Sequence, residues 1–362
     1  MKITHLLVSI FLLPLAARAA GDPPAISPAD RRADFLKLID RPRVPLKSEA
    51  PTVDVQDDAI VVHFAYDSDA HNRVPGILLA PGIAAADVAH IPQRPVVILL
   101  HGTNGRKEDM LPLARTLVAR GFVAVAIDGP YHGQRTKAGA AGQSTKNTPD
   151  YQDAILNAYR TGNGGGGHPF FFDTVWDIMR LIDYLDTRTD VDPHRIGIYG
   201  VSKGGIEAYL AAAVDPRIQV AVPCIALESF QWADEHDSWH SRIGTIQRAF
   251  DSAAKDAGIA QPDSAFVHQF YAKVAPDIDG EFDGPAMVPL IAPRPLLSIN
   301  GDSDPRTPQP GLKLAADAVQ AAYHADHADD RFQLLLEKNT AHRVTPDAQA
   351  AAVDWFVKWL KP

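Results

Sequence analysis

The chain reads as one α/β domain: a mostly parallel central sheet with helices on both faces and an insertion over the strand ends. Three observations predict this. From residue 95 onward, short apolar runs alternate with helical stretches. The runs at 96–100 (Val-Val-Ile-Leu-Leu) and 122–127 (Phe-Val-Ala-Val-Ala-Ile) are continuous, as strands buried on both faces must be. A Gly-x-Ser-x-Gly sequence joins a predicted strand, 196–199, to a predicted helix, 204–214.

The elements follow in order. Lys2, the short apolar run 6–15 and the small residues Ala17 and Ala19 around Arg18 have the three parts of a secretory signal, so 1–19 is expected to be removed. The run is short for a bilayer span, with a retained anchor as the alternative. The mature chain is then expected to be secreted or periplasmic, with no membrane span. Residues 20–58, rich in Pro, Asp and Arg, form an N-terminal leader with a helix over 29–39. The main domain spans 59–362 and opens with strands at 59–66 and 76–80, the second after the turn-prone Asp-Ala-His-Asn-Arg.

Strand 96–100, helix 107–120 and strand 122–127 come next. A loop with many Gly, Thr and Asn covers 129–170. In helix 171–188, Val175, Ile178, Met179, Ile182 and Leu185 recur at helical spacing. Beyond strand 196–199 and helix 204–214 lie strand 220–225 and an irregular, aromatic-bearing segment, 228–292. That segment has no sheet pattern of its own and reads as the insertion. Strand 295–300, helix 310–324, strand 332–336 and helix 346–360 complete the chain.

Composition sets limits on function. Of 362 residues, 46% are hydrophobic, enough to bury a core without disulfides, and the single cysteine, Cys224, excludes an internal one. Its apolar surroundings at 220–227 make it a core residue. A net charge of −9 argues against nucleic acid or an anionic membrane surface as partner. The His324-Ala-Asp-His-Ala-Asp-Asp330 stretch is read as solvated surface. His236 and His240 lack the His-Glu-x-x-His order, so no metal is expected. Gly162–Gly167 lacks the Gly-Lys-Ser/Thr of a phosphate-binding loop.

The chemistry centres on Ile196-Gly-Ile-Tyr-Gly-Val-Ser-Lys-Gly-Gly205. A tight strand-to-helix turn forces its serine into a strained conformation, and the flanking glycines remove the Cβ atoms that would clash. Ser202 is therefore the candidate nucleophile, presented above the N-terminus of a helix. A serine hydroxyl needs a base held by an acid. The acid should follow a later strand: Gly301-Asp-Ser-Asp304 offers Asp302 and Asp304, of which Asp304 fits the loop spacing better. The base should follow the last strand, where His342 stands before the final helix. Backbone N–H groups of Lys203 and Thr103 are assigned to the oxyanion, the latter from the loop His101-Gly-Thr-Asn-Gly105. The Lys203 side chain is read as solvated or paired. His132 is expected to support its loop, with substrate contact as the alternative. Trp232 and Trp239, in the insertion, are core or pocket residues.

These pieces resemble α/β-hydrolases over nearly the whole chain from residue 59. The matching residues are His101-Gly102, Asp128-Gly-Pro-Tyr-His-Gly133, Gly-Val-Ser-Lys-Gly-Gly, Gly301-x-x-Asp304-x-x-x-Pro308 and Ala341-His342. More narrowly, Phe230-Gln-Trp-Ala-Asp234, Ile291-Ala-Pro-Arg-Pro-Leu296 and Asp304-Pro-Arg306 are similar to a group related to acetyl xylan esterases, dienelactone hydrolases and prolyl-oligopeptidase-like catalytic domains. The resemblance implies a Ser–His–Asp triad and no cofactor. Dienelactone hydrolases use a cysteine where this chain has Ser202, and the propeller of the peptidases has no counterpart in the fewer than 60 residues before the first strand. The expectation is a secreted hydrolase of small-molecule or carbohydrate esters, of open oligomeric state. A serine exopeptidase and a non-catalytic binding protein are the alternatives.

Overall fold

In the computed structural model, residues 26–48, 51–56, 59–82, 92–142, 149–162 and 167–361 are described. The predicted signal segment lies outside them, as does most of the glycine run, 163–166. Nine strands form one sheet: β1 (Thr52–Gln56), β2 (Ala59–Asp67), β3 (Arg73–Pro81), β4 (Arg94–Leu100), β5 (Val123–Ile127), β6 (Val191–Val201), β7 (Ile218–Cys224), β8 (Leu296–Gly301) and β9 (Phe332–Glu337). The order is β1-β2-β3-β5-β4-β6-β7-β8-β9. β1, β2 and β3 form an antiparallel meander, and β3 also meets β5 antiparallel. Every pairing from β5 to β9 is parallel. The expected architecture is therefore present.

Continuous apolar runs serve two cores at once. Val96, Ile98 and Leu100 of β4 enter the core on one face, and Val97 and Leu99 enter that on the other. Helices α1 (Pro28–Ile39), α2 (Leu111–Ala119), α3 (Lys137–Ala140), α4 (Pro149–Thr161), α5 (Phe172–Leu185) and α6 (Lys203–Val214) precede β7. Helices α7 (Phe230–Glu235), α8 (His240–Ile243), α9 (Gln247–Asp256), α10 (Ser264–Val274) and α11 (Gly284–Met287) lie between β7 and β8. α12 (Gln309–Ala325) and α13 (Pro346–Leu360) complete the set. α2 and α13 cover one face; α1, α5, α6 and α12 contribute to the other. Every residue of α6 is buried, so this helix has no solvent side.

Four expectations need correction. The sheet starts at Thr52, inside the segment read as a leader, because a five-residue edge strand with exposed Val53 and Val55 gives little pattern. α1 is part of the core: Phe35 is fully buried, and Arg32 donates to the carbonyls of Ala213, at 2.9 Å, and Leu290. The stretch 129–170 holds α4, whose buried Tyr151, Ile155, Ala158 and Tyr159 keep helical spacing between glycine-rich neighbours that hid it. The segment 228–292 is largely helical rather than irregular, and its Phe250, Phe266, Phe270 and Tyr271 join the main core. Among the described residues no helix is long and apolar enough to cross a membrane.

Candidate active site

Ser202 is the one residue between β6 and α6, held at φ 55° and ψ −116°. Such a conformation costs a non-glycine residue about 1–3 kcal/mol and persists only where its surroundings impose it. Here the Ser202 N–H donates to the Cys224 carbonyl at 2.8 Å, and Gly205 N–H donates to the Ser202 carbonyl at 2.8 Å. The glycines are needed for space. A Cβ on Gly200 would lie 1.9 Å from the Gly204 carbonyl oxygen, and one on Gly204 would lie 2.6 Å from the carbonyl oxygens of Leu100 and His101. Cys224, whose carbonyl anchors the turn, is fully buried, and burial pushes its thiol pKa far up.

Three distant segments meet at this turn. His342 Nε2 lies 2.8 Å from Ser202 Oγ, and His342 Nδ1 lies 2.7 Å from Asp304 Oδ2. Asp304 Oδ1 accepts the Arg306 N–H at 2.8 Å. Burial pushes the Asp304 carboxyl up, but the hydrogen bonds from His342 and Arg306 and the charges of His342 and Arg242 outweigh it, leaving the pKa below the ordinary value. The group is thus held as a carboxylate. Asp302 does something else: its Oδ1 accepts the Thr340 N–H at 3.3 Å and the Ser303 hydroxyl at 2.8 Å, tying the acid loop to the segment before His342.

Lys203 opens α6, so its N–H has no partner within the helix. The facing loop is a turn closed by Gly105 N–H to the Gly102 carbonyl at 3.0 Å, with Asn104 at φ 63°. Thr103 stands at its first corner, where the N–H points away from the turn's own bond. Gly102 packs on the elbow: a Cβ there would be 3.3 Å from the Val201 carbonyl oxygen and 3.7 Å from Ser202 Cβ.

Side chains behind that loop hold it. His132 is fully buried; its Nε2 accepts the Asn104 N–H at 3.3 Å and its Nδ1 lies 2.8 Å from the Pro130 carbonyl. His101 Nε2 accepts the Gly129 N–H at 3.0 Å, with Nδ1 2.8 Å from the Gly102 carbonyl. Each ring accepts through one nitrogen and donates through the other, so both are neutral. Burial, reinforced by the Lys203 charge, lowers the His101 pKa to about 4 and drives that of His132 well below the ordinary value. Lys107 Nζ lies 2.8 Å from Asp128 Oδ2, and the Lys107 N–H donates to Asp128 Oδ1 at 2.9 Å. Gly133, at φ 51°, leaves room for that carboxylate, which a Cβ would approach to 2.2 Å. The Lys203 side chain is buried and paired with Glu207, not solvated. Its Nζ also stands 5.6 Å from the Tyr151 ring centroid.

His132 is therefore a loop support with no exposed face for a ligand. Trp239 is also buried, its ring 5.5 Å from that of Phe250 in the core. Trp232 is half-buried, stacked on His236 at 4.4 Å and lying against Gly311 of α12. Sequence reasoning missed Arg242, a buried guanidinium of α8 that contacts Glu228 and donates to the Ala226 carbonyl at 3.3 Å. It also missed Lys107 and Asp128 as a pair. No local pattern announces partners 14 or 21 residues apart. Among the described residues no three His, Cys, Asp or Glu side chains group to hold a metal ion.

Known proteins resemble this chain in sequence and in fold. The family model for acetyl xylan esterase (AXE1) matches residues 36–237, and that for fungal glucuronyl esterase matches 171–325. The putative hydrolase YtaP of Bacillus subtilis is 24% identical over 92% of this chain and 99% of its own length. A 4-O-methyl-glucuronoyl methylesterase of Podospora anserina is 31% identical over 34% of this chain and 25% of its own. Among solved structures, acetyl xylan esterase 1 from Thermoanaerobacterium sp. superposes with a TM-score of 0.64 at 17% identity, covering 92% of this chain and 93% of that one. That likeness is one of fold.

Proposed function

Since the chain belongs to the acetyl xylan esterase (AXE1) family and is a carboxylic ester hydrolase, we propose that Ser202, His342 and Asp304 are its catalytic triad. We further propose that its substrate is an acylated carbohydrate met outside the cytoplasm. The observation that carries the triad is the unbroken hydrogen-bond path from Asp304 through His342 to Ser202 Oγ. The signal-like residues 1–19 support export.

In this reading Nδ1–H of His342 donates to Asp304, which leaves Nε2 free to take the Ser202 proton. Oγ attacks the ester carbonyl carbon, and the carbonyl oxygen becomes an oxyanion facing the N–H groups of Thr103 and Lys203. Each such donor is worth roughly 10²–10³ in kcat. The imidazolium, steadied by Asp304, passes its proton to the departing alkoxide. Water then attacks the acyl-enzyme with His342 again as base, releasing the acid and regenerating Ser202.

A fluorophosphonate probe is expected to label the wild type and not Ser202→Ala. Labelling of another serine in the variant would remove Ser202 from the mechanism. Esters are expected to outrun aminoacyl-anilides in the same assay, and faster anilide cleavage would favour an exopeptidase. The match to glucuronyl esterases supports a second orientation, with the sugar on the acyl side. Comparing acetylated xylan with a methyl glucuronate ester decides between the two.

A further inference from the structure

Arg242 of α8 is buried, 3% exposed, between two segments that build the site. We propose that it acts through Asp304 as a positioning residue of the triad. It ties the acid loop to the segment that supports the elbow, and it holds a positive charge that opposes a second one on His342. The inference rests on the triad reading above.

The first segment, 225–228, continues β7, whose last residue, Cys224, accepts the Ser202 N–H at 2.8 Å. It also packs on α6, since a Cβ on Gly205 would lie 2.6 Å from the Ala226 methyl carbon. Arg242 grips this segment at two points: Nη2 donates to the Ala226 carbonyl at 3.3 Å, and Nε contacts the Glu228 carboxyl.

The second segment is the acid loop. Arg306 Nη1 donates to the carbonyl of Ser241, the neighbour of Arg242, at 3.2 Å. A Cβ on Gly244, just past α8, would lie 3.6 Å from the same Nη1. The Arg306 N–H in turn donates to Asp304 Oδ1 at 2.8 Å, and Asp304 Oδ2 meets His342. One short helix therefore touches both the support of the nucleophile and the holder of the acid.

Charge gives the arrangement its direction. The charged and titratable groups facing Arg242 and Glu228 are Asp304 and Arg306 of the acid loop, Asp234 of α7, Asp283 before α11, Tyr209 of α6 and Tyr271 of α10. Burial drives both tyrosines well above their ordinary range, so they are neutral. Burial also pushes Glu228 up to about 7, Asp234 to about 8 and Asp283 to about 6. Of these carboxyls only Asp304 ends below its ordinary value, burial there being outweighed by its bonds to His342 and Arg306 and by the charges of His342 and Arg242. Glu228 takes up a proton as pH falls through 7, and its Oε2 has no hydrogen-bond partner among the described residues. In mild acid Arg242 is thus a positive charge that Glu228 does not cancel.

The test is kcat/KM against pH on p-nitrophenyl acetate, whose acidic limb reports the essential base of the free enzyme. Arg242→Met is expected to move that limb up by about one pH unit, because loss of a nearby positive charge lets His342 take a proton more readily. Arg242→Lys keeps the charge and is expected to stay at the wild-type position. Glu228→Gln loosens the same contact but leaves the charge, so its limb is expected not to rise. The double variant Glu228→Leu, Arg242→Met removes the charge without orphaning a buried partner, which folds tolerate better. It is expected to match Arg242→Met, and it carries the test if the single variant does not fold. A limb unmoved in the double variant, or raised as far by Glu228→Gln as by loss of Arg242, overturns the inference. A wild type that cleaves no ester, or that keeps its activity in His342→Ala, separately records failure of the triad reading, and the inference falls with it.

Discussion

Two structures face each other across the reacting position and are held by opposite means. The elbow around Ser202 is held by the absence of atoms: Gly200 and Gly204 sit where any Cβ would overlap backbone. The facing loop, 101–105, is held by the presence of buried polar side chains, namely His101, His132 and the Lys107–Asp128 pair. Steric constraints of the first kind do not respond to pH. Constraints of the second kind do, since they last only while each group keeps its protonation state. One site thus combines a serine held by shape with a facing loop held by charge.

The largest expected effect sharpens the chemistry between them. Asp304→Asn is expected to lower kcat on the order of 10⁴, because the amide no longer fixes the imidazole tautomer. Asp302→Asn, which loses only loop bonds, is expected to stay within about tenfold. Steady-state kinetics on both folded variants checks this, and the reverse ranking would transfer the acid role to Asp302.

Gly200→Ala comes next. It puts a methyl group 1.9 Å from a backbone oxygen, so a loss of at least about 4 kcal/mol is expected. Urea unfolding at pH 5, 7 and 9 is expected to give the same difference each time; a pH-dependent difference would break the distinction drawn above.

Asp128→Asn tests the other side. Breaking one partner of a buried pair costs about 3–5 kcal/mol. Its recipient here is Lys107, 1% exposed. The double variant Lys107→Met, Asp128→Leu is expected to recover part of the loss in the same unfolding assay. No recovery would mean that the carboxylate's bonds to the Lys107 and Gln134 N–H groups matter more than its charge.

The smallest effect concerns acid. The His101 pKa is about 4 in the folded chain against 6.5 for the free side chain. Between those values the unfolded chain binds more protons, so stability falls as pH drops from 6.5 towards 4 and levels off below it. One such group contributes on the order of 3 kcal/mol over that window, and His132 acts in the same direction. His101→Gln is expected to flatten the slope of unfolding free energy against pH in this range; an unaltered slope would remove His101 as its source.

The same contrast explains what the sequence made legible. Short-range steric demands leave a local signature, so the elbow, the order of Ser202, Asp304 and His342, and the parallel sheet could be read directly. Loop spacing already favoured Asp304 over Asp302, and it is the Asp304 carboxylate that lies against His342 Nδ1. The roles of Lys107, Asp128 and Arg242 depend on partners brought together by folding and had no local mark. Helix α4 was hidden for a related reason: flanking glycines outweighed four apolar residues at the right spacing.

The burial of Cys224 has a practical consequence. The chain's single sulfhydryl is fully enclosed and its ionisation strongly suppressed, and the thiolate is the form that maleimides attack. The native protein is therefore a blank background for cysteine labelling in the folded state. A cysteine introduced on the open surface, such as Leu314→Cys on α12, would carry the only reactive fluorophore. Ligand binding and turnover could then be followed in real time on one molecule, without first removing a native cysteine whose carbonyl accepts the Ser202 N–H.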